Sequence, residues 1–353
     1  MYSFATYLLW SVLFTAFGWT ATASGQAKKP ATFAELAAYT GANREQLLLN
    51  GAKVEGNVVW YTSFTGNSYK QLARAFELQY PDVKIEVFRA ANKELLAKIT
   101  AEHQAKHFIA DTLESTLGLF NGLREDGMLA SFTSPYASAY PGTQREKGER
   151  GLYLWLIHRE SYNGVGYNTD RIPPARAPKK FDDLLRPEFR GKMGFANGDT
   201  SARMIAAMLK AKGEEFVKKL RTQDYSLHSV SARALADQVA TGEVEISPTI
   251  AREHAAEVKR NGGPIGWAPM EVVPTNAGGV GVVKTAPHPH AALLLADFIL
   301  GPRGQKIFGE VDFVNLAKDG GLNRYYPEQG LTSAQYDDQM NRWLKLLREN
   351  GRK

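Results

Sequence analysis

Cysteine does not occur among the 353 residues. The chain therefore has no disulfides, no thiolate metal site, no cysteine nucleophile and no lipid-bearing cysteine. Charge is missing from Met1 to Ala23, where a largely apolar stretch, Tyr7 to Trp19, runs into the small residues Thr20 to Gly25. This reads as a secretory signal peptide cleaved after Ala21-Thr22-Ala23, although its head lacks the usual cation; an uncleaved anchor is the alternative. No later run is long and apolar enough to span a bilayer, so the mature chain is expected to be exported and soluble, in a periplasm. Also absent are a G-x-S-x-G elbow, an H-E-x-x-H pair and a P-loop. The net charge of +6 is spread without a Lys/Arg run, so weak attraction to anions is expected and nucleic acid is not. An exported chain without disulfides must rely on large apolar cores, and this length suits roughly two domains.

Two stretches share one local grammar. Val58-Val59-Trp60-Tyr61 stops at Thr62-Ser63, and Lys192-Met193-Gly194-Phe195 leads to Asp199-Thr200-Ser201, each before an amphipathic helix. Hydroxyls at a helix start cap free N–H groups, and the same place, with the positive end of the helix dipole, suits an anion. Most capped helices bind nothing, so either stretch alone is explained by capping. Two of them, well over a hundred residues apart, suggest two lobes facing one ligand.

Tyr69, Leu72, Ala73, Phe76 and Tyr80 recur at helical spacing until Pro81, and Val83, Ile85 and Val87 then alternate with polar residues. Asn92 is placed to cap a helix carrying Leu95, Leu96 and Ile99. Phe108 to Leu113 predicts a buried strand ending at Glu114-Ser115-Thr116, with a helix from Leu117 to Asp126 closed by Gly127. Alternating elements of this length predict α/β architecture, each lobe a mostly parallel sheet flanked by helices, with ligands at the carboxyl ends of strands. Tyr162 to Asn168 and Val272 to Val283 read as strands crossing between lobes. Their glycines permit either close packing or a hinge. The expected division is 1–23 signal peptide, 30–150 with 272–353 first lobe, and 151–271 second lobe.

Gly56 to Ser63, Tyr167-Asn168, Phe181-Asp182-Asp183-Leu184-Leu185 with Gly191-Lys192, and Ala286 to Ala292 with Gly304-Gln305-Lys306 together resemble the ferric-iron-type group of periplasmic solute-binding proteins (extracellular solute-binding protein family 1). The resemblance spans about residues 33 to 320. It implies the two-lobed type II periplasmic-binding-protein fold with hinge strands, and a receptor that hands a small solute to an inner-membrane ABC permease, acting as a monomer without cofactor. Iron-binding members carry adjacent tyrosines just after the strand that here ends near Pro248; this chain has Arg252-Glu253 there, and Phe64-Thr65 where Arg-His is common. Ferric iron prefers phenolates and carboxylates, whereas Arg offers a donor fork for carboxylates and phosphoryl groups. A small organic or oxo-anion is thus the leading ligand class, and ferric iron or its chelate the alternative.

The candidate contacts are Thr62, Ser63, Ser115 and Thr116 in the first lobe, and Tyr167, Asp199, Thr200, Ser201, Thr249, Arg252 and Glu253 beyond it. Asp199 is either a cap or a contact to a ligand amine; Glu253 either does the same or faces solvent. No metal ligands are assigned. His103 and His107 share a helix face without a third ligand, His288 and His290 alternate with prolines before a helix, and Tyr325-Tyr326 reads as packing. A two-lobed cleft enzyme, transferase or hydrolase, is the rival from another class, and no catalytic residue is assigned.

Overall fold

The computed structural model describes residues 30–64, 68–310 and 321–352; the expected signal peptide and Thr65 lie outside these. In chain order the first part runs α1 (Phe33–Ala38), α2 (Arg44–Glu55), β1 (Asn57–Thr62), α3 (Ser68–Gln79), β2 (Lys84–Arg89), α4 (Asn92–Gln104), β3 (Thr112–Thr116), α5 (Leu117–Glu125), β4 (Arg145–Lys147) and β5 (Tyr153–Asn168). Then follow β6 (Gly194–Ala196), α6 (Asp199–Lys212), α7 (Glu214–Lys219), β7 (Ser226–His228), α8 (Ala232–Thr241), β8 (Ile246–Ala251), α9 (Arg252–Arg260) and β9 (Ile265–Ala268). The chain ends with β10 (Val273–Val282), α10 (Pro289–Leu300), α11 (Pro302–Glu310), β11 (Arg324–Tyr325) and α12 (Ser333–Asn350).

The first-lobe sheet has the order β2-β1-β3-β10-β5-β4. β1 runs parallel to β2 and β3, and β10 is antiparallel to β3 and β5. The unbroken apolar run of β1 follows from burial on both faces. Val58 and Trp60 join α2, α3 and α10 on one side, and Val59 and Tyr61 join α4 and α5 on the other. In β10 the two sides differ: Val280 and Val282 fill the first layer, while a Cβ on Gly279 or Gly281 would lie 3.0 or 2.8 Å from the Phe120 ring. These two glycines make room for Phe120 and Trp155, so close packing accounts for them.

β5 is long enough to belong to both lobes. Its first half pairs with β10, and from Asn163 it pairs with β8 and β9. Around it gathers a second core in which Val165, Phe181, Phe195 and the buried face of α6 meet Trp343 and Leu347 of α12. In the stretch 272–353, β10 and α10 pack in the core that holds β1 and α2, and α12 packs in the core that holds α6.

Where β1, β3 and β5 meet, the Glu114 carboxylate is fully buried. It accepts from Thr62 Oγ1 at 2.5 Å and Arg159 Nε at 2.7 Å, with His158 Nε2 at 3.3 Å. Burial acts to raise the carboxyl, but Arg159, His158 and Thr62 outweigh it and hold the group at about 2.

Two predictions follow from these layers. Leu347→Ala, at a fully buried position, is expected to cost about 2–5 kcal/mol in urea unfolding, with hydrogen exchange rising in α6 and unchanged in α10. The depressed Glu114 stabilises the fold above its ordinary value of 4.5, and that contribution is lost as pH falls toward about 2. Denaturant midpoints across that window should therefore fall, and Glu114→Gln should remove that part of the slope.

Candidate functional site

At the carboxyl ends of β1 and β3 the first lobe presents a linked set of hydroxyls. Ser115 Oγ lies 2.9 Å from Ser63 Oγ and 2.5 Å from Asn92 Oδ1, and Asn92 Nδ2 donates to Thr116 Oγ1. Asn92 was expected to cap α4. The structure instead makes Ala91 the N-cap without a side-chain bond, and spends the Asn92 amide on Ser115 and Thr116. Thr116 is the N-cap residue of α5, and its hydroxyl accepts from Asn92 instead of capping. Thus α4 and α5 both begin at this cluster, with free N–H groups and positive dipole ends turned toward it.

The second lobe contributes two more helix starts. α6 opens after Gly198, its N-cap, so Asp199, Thr200 and Ser201 occupy the first turn instead of the expected capping position. Ser201 is fully buried, and its Oγ has no hydrogen-bond partner among the described residues. α9 opens at Arg252, whose guanidinium stands 5.4 Å from the Tyr162 ring centre, a cation–π distance. Next to it Glu253 accepts from Ser161 on β5. Its Oε2 is covered and lacks a hydrogen-bond partner among the described residues. Burial, the dominant influence, lifts the Glu253 carboxyl to about 7 against the opposing pull of Ser161, Arg252 and Arg159.

Between the lobes lies a cleft of about 620 Å³. Asn92, Lys93 and Thr116 form one wall, Asp199 and Arg203 the facing wall, and Asn276 of β10 the floor; Tyr336, Asp337 and Asn341 of α12 close one side. Asn276 is the strand partner of Ser161, so the floor runs from the cleft to Glu253 and Arg252. The Asn276 Oδ1 is buried with no partner among the described residues. Arg203 is committed: its Nε donates to Glu328 Oε1 at 2.5 Å and its Nη2 to the Tyr336 hydroxyl at 3.3 Å.

Of the expected contacts, Thr116 and Asp199 line this cleft, and Ser63 and Ser115 back it through Asn92. Three others are occupied elsewhere. Thr62 is spent on Glu114, Thr249 is fully buried 3.1 Å from Ser247 Oγ, and the Tyr167 ring packs over Gly266 in the second lobe. Asn92, Lys93, Asn276, Tyr336, Asp337 and Asn341 also line the cleft and were not among the expected contacts. An asparagine before a helix reads as a cap, and α12 is too far along the chain for its face to be assigned. His288 and His290 anchor to carboxylates, with Nδ1 2.8 Å from Asp111 Oδ2 and 2.7 Å from Glu55 Oε1. Tyr326 donates to Glu160. No group of three or more His, Asp or Glu side chains placed to hold a metal occurs among the described residues, and no helix among them is long and apolar enough to cross a membrane.

Comparison with known proteins agrees with this architecture. A curated protein of Haemophilus influenzae, described as uncharacterized, is 27% identical over 271 residues, covering 72% of this chain and 76% of its own. Iron-bound HitA from Pseudomonas aeruginosa matches with a TM-score of 0.64 at 21% identity, over 83% of this chain and 99% of that one. The periplasmic binding protein AfuA from Actinobacillus pleuropneumoniae, with exogenous fructose-6-phosphate bound, matches at 0.63 and 22%, over 83% and 99%. The fold is thus the two-lobed type II periplasmic-binding-protein fold. The family described as bacterial extracellular solute-binding protein matches residues 117–339, more than half of the chain, and this chain belongs to it.

Proposed function

We propose that the chain is the periplasmic substrate-binding component of an ABC importer and captures a small organic anion between its lobes. The observation that carries this reading is the convergence of four helix N-termini on the lobe junction. α4 and α5 begin on one side, α6 and α9 on the other, with β5 and β10 crossing between them. A ligand bridging both sides makes contacts that exist only when the lobes are closed, and this differential contact is what drives closure. Arg252 at the start of α9 adds a fixed donor fork suited to carboxylate or phosphoryl oxygens.

The cleft volume favours an organic body over a bare ion. About 620 Å³ far exceeds the roughly 30 Å³ share of a water-sized group. Its lining of amides, hydroxyls and the carboxylates of Asp199 and Asp337 suits hydroxyl or amine substituents. Fructose-6-phosphate, bound to AfuA, is an anion of that kind. HitA is iron-bound; here a guanidinium, which does not ligate a cation, opens α9.

The test is a thermal-shift screen with phosphate, phosphonates, hexose phosphates, small carboxylates, and ferric salts with and without citrate. An organic anion at 100 times its dissociation constant is expected to add about 2.7 kcal/mol, and Arg252→Ala to weaken it at least about tenfold. A response to ferric iron alone overturns the anion reading, and chemical conversion of the ligand overturns the receptor reading. Because Glu253 is neutral below about 7 and charged above it, affinity for the anion should fall as pH rises through that value, and Glu253→Gln should flatten the profile in titration calorimetry.

A further inference from the structure

A second cavity, of about 260 Å³, lies in the first lobe between the α2–α3 side and α10–α11, away from the cleft. Its walls include three aromatic rings, Tyr80, Tyr136 and Phe298, and two carboxylates, Glu45 and Asp297. Asp297 is 8% exposed, and its Oδ2 accepts from Arg44 Nε at 2.8 Å, while its covered second oxygen has the Ser134 hydroxyl as its neighbour. Arg44 does not turn toward that second oxygen. Its other nitrogens donate to the carbonyls of Leu36, Tyr39 and Thr133. Glu45 is exposed and accepts from the Tyr80 hydroxyl at 2.9 Å. The remaining cation, Arg303, sits exposed at the rim and donates to Gln79.

We propose that this cavity is a binding site for a small organic ammonium ion, separate from the anion cleft. Aromatic rings and a carboxylate attract the same partner: ring quadrupoles favour a cation that has shed part of its hydration, and the Glu45 carboxylate supplies its counter-charge. Inorganic cations fit less well, since rings offer no oxygen ligands and the site has fewer carboxylates than a calcium site needs. An anion is disfavoured by Glu45, which faces the cavity. Burial and then the two carboxylates raise the Tyr136 hydroxyl above its ordinary range, consistent with a ring standing beside both. The proposal does not depend on what the interlobe cleft binds.

Choline and its neutral isostere 3,3-dimethylbutan-1-ol distinguish charge from shape. In titration calorimetry with the purified protein, choline is expected to bind at least about tenfold more tightly than the alcohol. Tyr136→Ala and Glu45→Gln should each weaken choline about tenfold; Gln keeps an acceptor for Tyr80, and both positions tolerate change because neither is fully buried. Asp297→Asn is unsuited, because it removes the counter-charge of buried Arg44. Equal binding of the two probes, absence of choline binding at millimolar concentration, or choline binding that survives both substitutions overturns the proposal.

Discussion

One buried carboxylate ties together the strands that carry the first-lobe half of the candidate site. Glu114 on β3 joins the end of β1 through Thr62 to the first half of β5 through Arg159 and His158, and it is followed in the chain by Ser115 and Thr116. A buried charge of this kind costs several kcal/mol in desolvation and is tolerated only when its partners are complete. Here each oxygen is met by a donor, so the geometry has little freedom: moving β5 relative to β1 breaks an interaction that water does not replace. The binding surface inherits that rigidity, because Ser63, Ser115 and Asn92 rest on the strands that Glu114 fixes.

The second constraint is steric. Gly278 faces Arg159, with a Cβ there falling 2.6 Å from its guanidinium carbon, and Gly279 and Gly281 face Phe120. The glycine run of β10 is thus shaped by what lies over it on both faces. At the same junction Glu160 gathers the hydroxyls of Tyr162 and Tyr326, the amide of Gln144 and the guanidinium of Arg324. Two carboxylates, on the strands β3 and β5 that flank β10, are each met by several donors.

What the sequence revealed follows from the range of the forces involved. Helices α3 and α5 and the strand β2 were legible because periodicity and capping are local. The crossing role of β5 and β10 was visible in their small residues and in the resemblance of the flanking motifs. The site was harder to read. Thr62 and Thr249 have the right residue type at a strand end, yet each is turned inward by one partner, Glu114 or Ser247, that no local rule identifies. Asn92 has the reverse history: it carries the sign of a cap and serves instead as the link between Ser115 and Thr116. Tyr336, Asp337 and Asn341 reach the cleft only because Trp343 and Leu347 bury the other face of α12 in the second lobe, and that is a tertiary fact.

The C-terminal segment touches both lobes. Asn121 of α5 donates to the Glu328 carbonyl while the Glu328 carboxylate holds Arg203 of α6, and Lys93 faces Asp337 at 3.6 Å across the cleft rim. The first two contacts are buried and the last is exposed, so they differ in what it takes to break them. A cleft bordered in this way resembles less a clamshell than a purse sewn along one edge: under the proposed reading, solute enters on the side away from α12, and the seam limits how far the two halves part. On that reading, part of the lining comes from a helix that belongs to neither of the strand ends where such ligands are usually sought.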